Sequence, residues 1–246
     1  MKPRWSCPAN SPTGLLPTGE HVFDAPTMVV SGPNPARRVL GDQLAARLRD
    51  TVLAGERLLP VLDAFAELLP GPGLRRGSVT AVNGSYALAL ALVAEASRIG
   101  SWVAAVGVND LGIVAAHEFG LVLERLALIP SPGRHWADVV AILIGAVDVV
   151  MVRPPAEASP ATLRLLAVRA RERGAVLVPL GGWPEADLHL ELVRSVWLGL
   201  EQGHGRLQAR KALVSITGRG AFAGSRRTWL WLPDDQGQVR PVRLGD

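Results

Sequence analysis

Between residues 78 and 180 the chain alternates short apolar runs with segments of helical length, and this alternation limits the possible folds more than any other feature. Residues 78–82, 102–108, 126–129, 147–152 and 176–180 read as buried strands, and residues 86–98, 111–119, 134–144 and 160–173 as the helices between them. Strands joined by crossovers of this length build a parallel sheet with helices on both faces. Strands covered on both faces become near-continuous apolar runs, as these are. After Leu180 the pattern changes. Residues 188–198, 207–216 and 228–232 read as strands separated by turns containing Gly203, Gly205, Gly218, Gly220 and Gly224, with no helix between them. The expected fold class is therefore α/β: a mostly parallel sheet flanked by helices, with an antiparallel C-terminal extension.

The flanks of this core read differently. Residues 1–37 are rich in Pro, Gly, Ser, Thr and Asn without a sustained hydrophobic period, which predicts a mostly disordered tail. Residues 38–70 read as a helical segment. Leu40, Leu44, Leu48 and Val52 recur every fourth residue, and Leu59, Leu62, Phe65, Ala66 and Leu69 form a second apolar set. The first stripe marks an amphipathic helix that packs on its own core or on a neighbouring subunit, and it is the candidate association helix. Pro70-Gly71-Pro72-Gly73 ends the helical segment and opens a core expected to span 71–233, followed by a C-terminal tail at 234–246.

Composition removes several function classes. The longest apolar stretch, 136–152, is interrupted by Asp138 and Asp148, whereas a membrane span needs roughly 20 almost unbroken apolar residues. The first residues hold no apolar stretch of signal-peptide length, so the expected location is cytoplasmic. Cys7 is the single cysteine, which excludes an internal disulfide and a cysteine-based metal cage. His21, His117, His135, His189 and His204 lack the spacing of a helical zinc site and read as surface or structural residues. No metal and no cofactor is expected. The net charge of +4 permits contact with nucleic acid without requiring it.

The positive charge is almost entirely arginine, since Lys2 and Lys211 are the only lysines. Much of it collects near the C-terminus, where Arg206, Arg210, Lys211, Arg219, Arg226 and Arg227 lie close in sequence to Trp229 and Trp231. Arginine beside aromatic rings clamps phosphates and stacks bases, so these eight residues are the candidate DNA or partner contacts. A solvated basic face is the competing reading. Trp229 and Trp231 share strand parity, with Leu230 and Leu232 on the opposite face.

An amphipathic helix followed by Gly73-Leu74-Arg75-Arg76-Gly77-Ser78-Val79-Thr80-Ala81-Val82 resembles the start of the RecA ATPase core. The likeness continues through Gly100-Ser101-Trp102-Val103, Phe119-Gly120-Leu121-Val122-Leu123-Glu124-Arg125-Leu126 and Val147-Asp148-Val149-Val150-Met151-Val152, and covers roughly 73–233. The resemblance implies a RecA-like sheet with a degenerate nucleotide site. A P-loop needs about eight glycine-rich residues, a lysine for the phosphates and a Ser or Thr for magnesium. Here Asn83-Gly84-Ser85 leads directly into the helix at Tyr86, with Ser85 as its expected N-cap, and neither lysine is near. Where the RecA family ends its fourth strand on an acidic residue, Val152 is followed by Arg153-Pro154-Pro155, and arginine cannot ligate a metal. The catalytic glutamate expected after the second strand is replaced by Asn109-Asp110, with Asp110 read as an N-cap. The chain is therefore expected not to be an enzyme and to have no catalytic residues.

Val152-Arg153-Pro154-Pro155, Ala170-Arg171-Glu172-Arg173-Gly174-Ala175, Trp197-Leu198-Gly199-Leu200, Gly203-His204-Gly205-Arg206-Leu207, Gly218-Arg219-Gly220 and Trp229-Leu230-Trp231-Leu232-Pro233 look like the actinobacterial ImuA-prime proteins. That resemblance implies an accessory subunit of the DNA-damage mutasome in the SOS response, nucleoid-associated after damage. Its implied partners are ImuB, a Y-family-like polymerase homologue, and an error-prone C-family DNA polymerase, with DNA and a second copy of the chain as further candidates. The alternative is a cell-division inhibitor of the SulA type, which uses a related ATPase-dead fold against a tubulin-like filament protein.

Overall fold

A computed structural model describes residues 58–201, 204–219 and 223–243. The expected tail at 1–37 and the candidate association helix with Leu40, Leu44, Leu48 and Val52 lie outside the described residues.

The parallel sheet follows from the apolar runs. Strand β4 (Val103–Val106) lies between β5 (Leu126–Ile129) and β6 (Val149–Val152), and β6 pairs with β7 (Val176–Pro179), all in parallel. Bridges between Val79 and Leu177 and between Val82 and Leu180 join β7 to β3 (Thr80–Asn83). β3 in turn pairs in parallel with β8 (Leu188–Glu201). Beyond β8 the sheet becomes antiparallel, through β9 (His204–Gly218), β10 (Gly224–Trp231) and the short β11 (Arg240–Pro241). The molecule is an α/β fold with a parallel sheet flanked by helices and an antiparallel extension.

Strand period separates the two cores. Along β6, Val149 and Met151 enter one hydrophobic cluster while Val150 and Val152 enter the other; on β7, Val176 and Val178 separate from Leu177 in the same way. Helix α1 (Tyr86–Arg98) fills the first cluster and is buried without interruption from Leu88 to Ala94. Helix α2 (Ile113–Glu118) adds Ala116 to that cluster. Helices α3 (Trp136–Leu143) and α4 (Pro160–Arg173) supply the second cluster through Trp136, Val140, Leu163, Leu166 and Ala170. α4 matches its expected bounds, with Ser159 as N-cap accepting from the Thr162 N–H and Gly174 at φ 71° as a left-handed C-cap.

Two expectations are corrected. The apolar set at 59–69 is not helical: β1 (Leu58–Pro60) pairs antiparallel with β2 (Gly73–Arg75), and a 3₁₀ turn covers Asp63–Phe65. Leu59, Phe65, Leu68 and Leu69 are buried in the same cluster as α1, so this segment belongs to the core. The close approach of the two strands requires Gly73, where a Cβ would stand 2.3 Å from the Leu59 carbonyl oxygen. Residues 234–243 are not a tail either. Asp234 accepts from the N–H groups of Gln236 (3.0 Å) and Gln238 (2.8 Å) and from Arg240 Nε (2.7 Å), and the resulting turn returns the chain to β11.

Candidate functional site

Open parallel sheets place ligand crevices outside the carboxyl ends of their strands. In this protein the end of β3 passes through Gly84 and Ser85 straight into α1, and the Ser85 hydroxyl accepts from the Leu88 N–H at 3.2 Å, as expected of an N-cap. One of the helix-end donors available to an anion is therefore already satisfied. Arg153 follows β6 and turns toward the same place. Its guanidinium lies 5.7 Å from the centre of the Tyr86 ring and 3.6 Å from Asp110 Oδ1. Asp110 is thus not the expected N-cap of α2; that position is Gly112, which has no side-chain oxygen. Burial raises the Tyr86 phenol above its ordinary pKa, with Arg153 pulling it down and Asp110 pushing it up.

Arg153 also divides the surrounding space. A cleft of ≈ 260 Å³ is lined by Ser85, Tyr86, Arg153 and Gly181, and a larger one of ≈ 540 Å³ runs past Pro155, Leu163 and Trp183 to His189. Burial, reinforced by Arg219, holds the His189 imidazole below its usual pKa and hence neutral at pH 7. Among the described residues no group of three or more His, Cys, Asp or Glu is placed to hold a metal ion.

The second place of interest is the arm formed by β8 and β9. Of the eight candidate contact residues, the sheet brings some together and separates others. Trp197 and Arg210 are directly opposed across the two strands, with the Arg210 guanidinium 5.4 Å from the ring centre and its Nη2 donating to Ser195 Oγ at 3.0 Å. Lys211 opposes Trp231, its ammonium 4.8 Å from the ring centre, and Arg240 covers the same ring at 5.4 Å. Arg206 lies exposed toward the tip of the arm. Arg219 is at the opposite end of β9, where Nε donates to the Ala186 carbonyl at 2.9 Å. Arg226 and Arg227 point to opposite faces: Arg226 donates to the Leu69 carbonyl at 2.8 Å, and Arg227 is exposed. Leu230 and Leu232 are on the core face at 0% exposure, whereas Trp229 on the outer face is 36% exposed.

The six cations and two tryptophans therefore do not form one patch. Sequence reasoning did not single out Arg194, Trp197 or Arg240 as contact residues, nor Tyr86. Trp197 and Arg194 lie on opposite faces of a strand stretch exposed on both sides, which no apolar alternation marks in the sequence; Arg240 had no signal either, because the turn at Asp234 places it.

The MT3502 N-terminal domain family matches residues 67–185, the stretch that carries β2 through β7 and ends before the arm. Over 153 residues the chain is 35% identical to the uncharacterized protein Rv3395c of Mycobacterium tuberculosis, an alignment covering 61% of this chain and 75% of that protein.

Proposed function

This chain belongs to the family of the mycobacterial protein Rv3395c, and from that premise we propose that it is a non-catalytic, RecA-like accessory subunit of an error-prone translesion synthesis complex, of the ImuA-prime kind. The observation that carries this reading is Arg153, seated between Asp110 and Tyr86 at the carboxyl ends of the parallel strands. A fixed positive charge there opposes a magnesium ion, and the two-residue passage from β3 to α1 is too short to surround phosphates with backbone N–H groups. A sheet of this topology without a working nucleotide crevice acts through its surfaces.

Its partners in this reading are ImuB and the C-family polymerase, and the stripe Leu40, Leu44, Leu48 and Val52 serves association. Pull-down with the full chain tests it. Retention of an ImuB-type protein and the polymerase is expected; retention of a tubulin-like division protein in their place would replace this reading with the SulA-type inhibitor.

A further inference from the structure

Among the described residues the arm has one covered edge and one open edge. β9 is covered on its outer side as far as Arg210, whose N–H donates to the Pro233 carbonyl at 2.7 Å and whose carbonyl accepts from Leu232 at 2.8 Å. β8 is covered by β3 only from Leu188 to Glu191, because β3 ends at Asn83 and the chain turns into α1. From Arg194 to Leu198, β8 runs in regular register with β9 between two bulges, and no described strand pairs with its other side. That stretch has the length of an average strand. Its unpaired backbone groups form a template for strand addition.

The side chains say what would fit there. Val196 and Leu198 are 40–41% exposed on one face of β8 and Trp197 is 44% exposed on the other, so a protein chain added along this edge would meet apolar side chains on both faces. Exposed Arg194 stands at one end and exposed Arg206 toward the tip. β8 carries Glu191 and Glu201 outside the 194–198 stretch, while residues 192–199 and 205–218 contain Arg194, Arg206, Arg210 and Lys211 and no carboxylate. The second bulge is built into the backbone: Gly199 has φ 102°, and a Cβ there would meet the Arg206 carbonyl oxygen at 2.3 Å.

We propose that the open edge of β8, from Arg194 to Leu198, is a strand-addition site for an extended segment of a partner protein that carries a short apolar run flanked by Asp or Glu. Backbone hydrogen bonds supply the affinity, while Val196, Trp197 and Leu198 with the flanking arginines select the sequence. The site deepens the partner-binding reading above by naming the chemistry of the partner, but it does not depend on which complex the chain joins.

The test selects binders from a displayed library of random twelve-residue peptides on the full chain, then follows backbone hydrogen exchange. The expected result is enrichment of peptides with an apolar run bounded by acidic residues. A synthetic copy of one slows exchange of the outward amides of residues 194–198. Affinity falls at least tenfold in Arg194→Glu/Arg206→Glu and in Val196→Thr/Leu198→Thr, two surface variants in strand-compatible residues whose melting temperatures remain those of the parent. The proposal is overturned if no such peptide is enriched, if exchange at 194–198 is already slow in the chain alone, or if the peptides bind both variants unchanged. Slowing of the same amides by an oligothymidylate, with no effect of the peptides, would also overturn it in favour of nucleic acid. Loss of the pull-down partners with peptide binding intact would refute the translesion reading alone.

Discussion

Arg153 and Tyr86 meet across the carboxyl ends of β6 and β3, the guanidinium 5.7 Å from the ring centre, so that a cation stands where the sheet would otherwise open to a ligand. The pair, with Asp110, sits beside the start of α1. Calorimetric titration of the full chain with ATP and magnesium should show no binding at micromolar concentrations. The Arg153→Ala variant should behave alike, because the helix start still lacks a P-loop. Both Arg153 and Asp110 side chains are more than half exposed, so this substitution should change unfolding free energy by under about 1 kcal/mol.

A different outcome is expected at Asp148. It is 8% exposed, accepts from Arg76 Nη1 at 2.8 Å and from the Trp102 N–H at 3.0 Å, and so ties the segment before β3 to the lower ends of β4 and β6. Asp148→Ala strands the Arg76 charge and should destabilise the fold by about 3 kcal/mol in urea denaturation. Asp148→Asn keeps an acceptor for Trp102 and should cost less.

Acid sensitivity should concentrate at Asp234. Burial opposes its ionisation, but the Gln238 N–H, the Arg240 guanidinium and the Gln236 N–H together hold its pKa below the ordinary carboxylate value of 3.8. A carboxyl with a depressed folded pKa stabilises fully above its unfolded pKa, and that contribution is lost as pH falls through the folded pKa. Denaturation midpoints measured from pH 6 downward should fall below about pH 4 in the parent. Asp234→Asn should start lower at pH 6 and flatten on the acid side.

Arg226 and Arg227 are adjacent in sequence yet should separate in experiment. Arg226→Ala removes the bond to the Leu69 carbonyl and should cost about 1 kcal/mol of stability. Arg227→Ala, on the exposed outer face, should leave the thermal midpoint unchanged. Equal losses for both would place Arg227 in the fold as well.

The helix 160–173 and the strand 126–129 were legible to the residue, because apolar period, N-cap and C-terminal glycine are local signals. So was the short passage at Asn83-Gly84-Ser85 from β3 into α1. Residues 59–69 were not legible. Their apolar spacing fits a helix, and only the pairing of Leu58–Pro60 with Gly73–Arg75 makes them strand and turn.

What the sequence determined by itself was the parallel α/β core, its antiparallel extension and the short passage from β3 into α1, since each follows from local periodicity and spacing. The tertiary structure alone decided that Arg210 sits on Trp197, that Arg226 reaches the Leu69 carbonyl, that Arg153 reaches Asp110, and that β8 keeps an edge no described strand pairs with. These depend on which strands pair and in what register. Register is a long-range outcome of burying one face of each strand, and no neighbouring residues encode it.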